Sequence, residues 1–179
     1  MGPKVRSFLI VRLAIIILLL CVSACSGGNN PNILDAAATY KDNTGAFADI
    51  LASYPGPHTE FTRIPARDPA KETPADNRFL KQLRKTFPVE FIDFFPRSGA
   101  GRDEVNVVIK RYGMNTRWTI ISLVYLSEPL AQPEAGSNMT LFDDCDTRSL
   151  DWIETHKTNG SISVFCRIDR NWYAFQQVE

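Results

Sequence analysis

The chain has 179 residues, with 20 Lys+Arg set against 20 Asp+Glu, 44% hydrophobic and 11% aromatic. That balance leaves no basic excess to release counterions from a phosphate backbone, which argues against nucleic acid as a partner. The length suits one domain with a proper hydrophobic core.

Lys4, Arg6 and Arg12 make a positive leading segment, Leu13 to Val22 is an unbroken apolar run, and the small residues Ser23 and Ala24 lead into Cys25. Positive flank, short apolar core and small-residue exit are the three parts of an export signal. The closing residues Val22-Ser23-Ala24-Cys25 resemble the lipobox of bacterial lipoprotein precursors. That resemblance implies recognition of Val22, Ser23 and Ala24 by a dedicated peptidase. It also implies cleavage before Cys25, whose sulfur carries a diacylglyceryl group. It places residues 1–24 as a signal peptide and 25–30 as the lipidated Cys with a short tether. An uncleaved span is the alternative, although a span needs about 20 apolar residues and Arg12 interrupts this stretch. Both alternatives put the remainder of the chain outside the cytoplasm. Ser26 in place of Asp after the lipidated position leans toward the outer membrane in a Gram-negative host. The implied partner is a lipid bilayer reached through acylated Cys25, where each buried acyl CH₂ contributes about 0.8 kcal/mol.

Residues 1–24 contain three cations and no anion, so the remaining 155 residues are slightly acidic, near −3. Cys145 and Cys166 are the cysteines left after Cys25. Outside the cytoplasm an even pair reads first as a disulfide. The alternative sets Cys166 as a nucleophile with His156 as its base, but no helix N-terminus is predicted beside Cys166 to lower its pKa.

Ser26 to Asn30 is a polar tether that as a random coil spans about 12 Å. Asn30 then caps, and Pro31 opens, a helix of about 22 residues, with a stripe of Ile33, Ala37, Tyr40, Thr44, Phe47, Leu51 and Tyr54. Pro55-Gly56 ends it. Residues 55–77 carry prolines at 55, 57, 65, 69 and 74 and read as an extended strap. A second helix follows, capped by Asp76, with Phe79, Leu80, Leu83 and Phe87 on one side and Pro88 as its stop. Lys81, Arg84 and Lys85 mark its other side, as a solvated face or a patch for lipid headgroups or an acidic partner.

The remainder reads as strands: 89–95, then 104–112 with Val105, Val107 and Ile109 on one face. Gly113-Met114-Asn115 turns the chain into 116–126, with Trp118, Ile120, Val124 and Leu126 on one face. Residues 127–143 form a long loop. Leu150 to Lys157 is ambiguous between a helix capped by Thr147 and a strand entering an Asn159-Gly160 hairpin, and strand is preferred. Strands at 161–168 and 172–178 close the chain.

Chemistry is sparse. Gly99-Ala100-Gly101 precedes a strand, whereas a phosphate cradle needs a helix there. Asp143, Asp144, Asp146 and Asp151 lack the spacing of a calcium loop, and His58 and His156 lack a metal spacing. Glu60, Glu90, Asp93 and Glu104 are the available carboxylates for paired acid–base work. No cofactor is implied and no catalytic residue stands out. The aromatic β half, with Trp118, Trp152, Trp172, Tyr173, Phe94 and Phe95, is the one hint of binding, because aromatics left outside a core make contact anchors.

The expected fold is α+β. Two N-terminal helices lie on one face of a five- to six-stranded antiparallel sheet, over a single domain at 31–179. The element order resembles cystatin-like and NTF2-like cones. The function expected first is a membrane-anchored, non-enzymatic accessory or scaffold subunit bound to an envelope protein or cell-wall component, facing the periplasm. A small-ligand or peptide binder with a cavity between helices and sheet comes second, and a hydrolase with an unrecognised site third.

Overall fold

The computed structural model describes residues 30–53, 61–65, 70, 73–95, 103–114, 117–134, 136–158 and 160–179. Residues 1–29, where the sequence leads one to expect a signal peptide, Val22, Ser23, Ala24 and Cys25 of the lipobox-like motif, and most of the tether, lie outside the described residues. So do Pro55-Gly56, His58, Glu60, most of the strap up to residue 72, and Gly99-Ala100-Gly101.

Two short helices stand where the stripe predicts one: α1 (Ile33–Asp42) and α2 (Thr44–Ser53). The N-cap of α1 is Asn32 rather than Asn30. Its side chain accepts from the Leu34 and Asp35 amides while Asp35 accepts from the Asn32 amide, a reciprocal capping box. The break falls at Asn43. Its backbone N–H donates to the Tyr40 carbonyl, its Nδ2 donates to the Thr39 carbonyl at 2.8 Å, and its own carbonyl accepts from Ala46 and Phe47. One asparagine thus serves two carbonyls at the end of the first helix and two amides at the start of the second. The buried face is Ile33, Ala36, Ala37, Tyr40, Phe47 and Ile50, with Thr44 exposed and Leu51 only partly buried.

After β1 (Thr62–Ile64), a strand within the supposed strap, comes α3 (Pro74–Leu83). Its cap is Thr73 rather than Asp76. Asp76 is the third-position partner of the capping box, and Pro74 takes the first turn, where a missing N–H costs nothing. Leu80, Leu83 and the following Phe87 are buried, and Phe79 is partly buried.

Six more strands complete one sheet: β2 (Phe91–Phe95), β3 (Glu104–Met114), β4 (Arg117–Leu126), β5 (Met139–Phe142), β6 (Ile162–Arg167) and β7 (Trp172–Val178). Their order is β1-β2-β3-β4-β7-β6-β5, antiparallel except for β5 beside β6. The architecture is α+β. The sheet has seven strands rather than five or six because β1 lies inside the proline-rich stretch and β5 inside the long loop. A parallel pair needs a crossover, and a helix is the usual one. That crossover is α4 (Thr147–His156), so Leu150 to His156 is helix, not strand. Asp146 caps it, accepting from the Arg148 amide at 2.9 Å. The four helices among the described residues are therefore not confined to the first half of the chain.

Alternation gives the sheet two buried faces. Ile121 and Leu123 of β4, Trp172 and Ala174 of β7, and Val105 and Val107 of β3 pack under the helices. A register shift between Val108 and Lys110 inserts an extra residue, and Ile109 joins the same core. On the reverse face Val124, Leu126, Leu141, Tyr173 and Phe175 form a second cluster. The loop after β4 crosses it, with the Leu130 amide donating to the Tyr173 hydroxyl at 2.9 Å. Among the described residues no helix is long and apolar enough to cross a membrane.

Phe47 sits at the centre of the helix-side core. Its ring lies 5.2 Å from Tyr40, 4.8 Å from Phe87 and 5.2 Å from Trp172. The Tyr40 hydroxyl donates to Asp169 Oδ2 at 3.2 Å, tying α1 to the β6–β7 turn. Burial first, then the charge and hydrogen bond of Asp169, push the Tyr40 phenol up to about 12 from an ordinary value near 10. A folded value above the unfolded one stabilises fully below pH ~10 and is lost as pH rises through ~12. Chemical unfolding across that interval should show this loss, and Tyr40→Phe should flatten it. An unchanged alkaline slope would contradict the assignment.

Cys145 and Cys166 form a disulfide, with an S–S distance of 1.98 Å and a Cα–Cα distance of 5.0 Å. It closes the segment containing α4 onto β6. Alkylation of unreduced protein under denaturing conditions should modify neither sulfur, and modification of both would contradict the bond.

Candidate functional site

The feature that stands out from a packed fold lies on the reverse face of β1–β3. On β2, Ile92 and Phe94 point into the helix-side core, so alternation sends Phe91, Asp93 and Phe95 to the other face. The register sets Arg63 of β1 opposite Asp93. Arg63 donates from Nε and Nη2 to the two Asp93 carboxylate oxygens, each at 2.5 Å. Asp93 is 4% exposed, and a carboxylate so far removed from water requires a paired, hydrogen-bonded cation. The hydrogen bond to Asp93 in turn holds the Arg63 guanidinium above its ordinary pKa.

That ion pair supports an aromatic surface. The guanidinium carbon lies 4.1 Å from the Phe91 ring centroid and 5.9 Å from that of Phe61, within cation–π range. Phe61 packs on Phe95 with centroids 5.0 Å apart. These two are the exposed large hydrophobics among the described residues, at 47% and 37%. Both oxygens of Asp93 are occupied by Arg63, so the site has no free base there. It presents two adjacent aromatic faces over a fixed planar cation, which suits contact with side chains or sugar rings.

A second feature lies on the helix side. A cleft of about 350 Å³ runs between α2 and α3, lined by Ala46, Asp49, Ala52, Phe79, Leu83 and the shared rim residues Gln82 and Thr86. Gln82 and Thr86 also border a groove of about 550 Å³ with Arg78, Lys81 and Lys85.

The other candidates are placed as follows. Cys166 is fully buried and bonded to Cys145, which removes it as a nucleophile. His156 stacks on Trp152 with centroids 4.1 Å apart, and its Nδ1 lies 2.8 Å from the Trp152 carbonyl. Asp146 caps α4 and pairs with Arg148, whose hydrogen bond holds the Asp146 carboxyl below its ordinary pKa. Asp143 lies 3.6 Å from Arg167. No group of three or more His, Cys, Asp or Glu among the described residues is placed to hold a metal. Glu90 lies 3.8 Å from Lys110, and Glu104 pairs in register with Phe95. Of the aromatic set, Trp172, Tyr173 and Phe94 are core, Trp118 and Trp152 are partly buried, and Phe95 is on the surface.

Sequence reasoning missed Phe61 and Arg63, because five prolines between 55 and 74 mask a strand of three residues. The available signal was local: Phe61-Thr62-Arg63-Ile64 alternates in the β-rich manner of a short edge strand. No protein-family model, no curated protein and no solved structure matches this chain.

Proposed function

We propose that this chain is a membrane-anchored envelope lipoprotein, held by acylated Cys25, whose domain is a non-enzymatic binding or scaffold subunit facing the periplasm. The observation that carries the binding role is the exposed Phe61–Phe95 pair, braced by Arg63 and Asp93 on the reverse face of the sheet. Aromatics left in the open beside an arginine are the typical anchors of a protein interface. The anchor itself rests on Val22-Ser23-Ala24-Cys25. The disulfide fits an oxidising compartment. A cystatin-like or NTF2-like cone offers an enclosed cavity between helices and sheet. Here Phe47, Phe87 and Trp172 fill that space, which favours a partner bound on the surface over a ligand enclosed within.

The test is a photo-crosslinking side chain placed at position 95 of the full chain in intact cells, with position 151 on α4 as the control. A discrete envelope protein or cell-wall fragment captured from position 95 and not from 151 is expected. The same pattern of capture from both positions would overturn the assignment.

A further inference from the structure

The basic side of α3 has a chemistry that the aromatic face does not explain. Arg78, Lys81 and Lys85 are exposed and line one groove, and none of the three has an ion pair among the described residues. Arg84, which the sequence groups with them, is occupied instead: its Nε donates to the Val89 carbonyl at 2.9 Å and its Nη2 to that of Glu90 at 2.8 Å. The helix is anchored from behind by Leu80 and Leu83, so its cations face outward from a fixed support. Through Gln82 and Thr86 the groove continues into the cleft walled by Ala46, Ala52, Phe79 and Leu83. Asp49 is the one carboxylate lining that cleft. The groove is cationic, whereas the adjoining cleft has a mixed lining in which Asp49, Gln82 and Thr86 stand beside Ala46, Ala52, Phe79 and Leu83. The cations match an anionic headgroup.

The position of α3 relative to the start of the domain narrows the source. The Arg84 contacts tie the end of α3 to Glu90, whose amide donates to the Val108 carbonyl on β3 at 2.8 Å. Four residues further along the same strand, about 13 Å at 3.3 Å per residue, the Tyr112 hydroxyl donates to the Pro31 carbonyl at 3.3 Å. Pro31 and the end of α3 are thus both tied to β3. Residues 25–30, even fully extended, span no more than about 20 Å. If Cys25 is acylated, Pro31 stays within about that distance of the membrane surface.

We propose that Arg78 and Lys81 of α3, with Lys85 just beyond its end, dock on the anionic phospholipid of the anchoring membrane, with headgroup phosphates in the basic groove. The proposal rests on the lipid-anchor reading, and the experiment separates the two. The protein as purified from the membrane is reconstituted into vesicles of phosphatidylcholine alone, or of phosphatidylcholine with phosphatidylglycerol, and amine labelling is read lysine by lysine. Lys41 on α1 and Lys157 at the cap of α4, both exposed, serve as references. Labelling of Lys81 and Lys85 should slow by about fivefold or more on the anionic vesicles, as expected for cations held at an anionic surface. The slowing should disappear at high salt, and it should be lost at Lys81 in Arg78→Glu/Lys85→Glu. Inorganic phosphate added to phosphatidylcholine vesicles should not reproduce it. Protein that floats with both vesicles, yet labels equally on both, would overturn the docking and leave the anchor standing. Protection by free phosphate alone would identify a soluble phosphate ligand and overturn the membrane assignment. Protein that fails to float with either vesicle would reject the anchor, and the docking with it.

Discussion

Phe47→Ala should lower the melting temperature of the domain by roughly 8–15 °C. Phe47 is fully buried and touches three aromatic rings from three other parts of the chain: Tyr40 on α1, Phe87 after α3 and Trp172 on β7. Removing the ring loses its transfer free energy and leaves a cavity between rigid neighbours, a combination that typically costs 3–5 kcal/mol. In a domain of about 150 residues each kcal/mol moves the midpoint by roughly 2–4 °C. Collapse of the aromatic cluster into the gap would reduce the cost. Tyr40, however, is fixed through its hydroxyl to Asp169 and Trp172 by its place in the sheet. Thermal unfolding followed by circular dichroism checks the value, and a shift of only a degree or two would mean that α2 does not pack on this core.

Arg63→Met should be comparably damaging for a different reason. It leaves Asp93, 4% exposed, as a carboxylate without its cation on the reverse face of the sheet. Breaking one side of a buried pair costs about 3–5 kcal/mol. The lower end applies here, because the Arg63 side chain keeps 18% exposure and some solvent contact. The double variant Arg63→Met/Asp93→Leu should recover most of the loss, since no charge is then stranded. Denaturant unfolding of the two single variants and the double gives the coupling. Strictly additive losses would show that the pair contributes nothing jointly. The same series bears on function, because Arg63 is also the brace beneath Phe61 and Phe91. A double variant that folds but no longer yields crosslinks from position 95 would tie the binding surface to the cation.

Much of the architecture is legible where apolar periodicity meets clear punctuation. Val105, Val107 and Ile109 share the core, β6 and β7 pair across residues 168–171, and Cys145 bonds to Cys166. What was not legible depends on partners distant in sequence. Leu150 to His156 is helix because β5 and β6 run parallel and need a crossover, and β5 itself is four residues hidden in a polar loop. The single long first helix becomes two because Asn43 bonds to both neighbours, a competition that stripe counting does not register. At the site, Phe95 was visible as an aromatic in an aromatic strand. Its exposure was not, because burial on the reverse face depends on which strands the loop after β4 covers. Arg63 and Asp93 lie 30 residues apart, and only the β1–β2 register brings them together.

The central claim is that the domain is held at a membrane by Cys25, and the mass of the mature N-terminal peptide tests it most directly. Mass spectrometry of the purified chain should find a peptide beginning at residue 25, with a diacylglyceryl group on its sulfur and no trace of residues 1–24. Cys25→Ser should yield the longer, unlipidated precursor. A Cys25→Ser protein whose mass matches the unmodified 25–179 chain, or a parent whose Cys25 carries no lipid, would contradict the account.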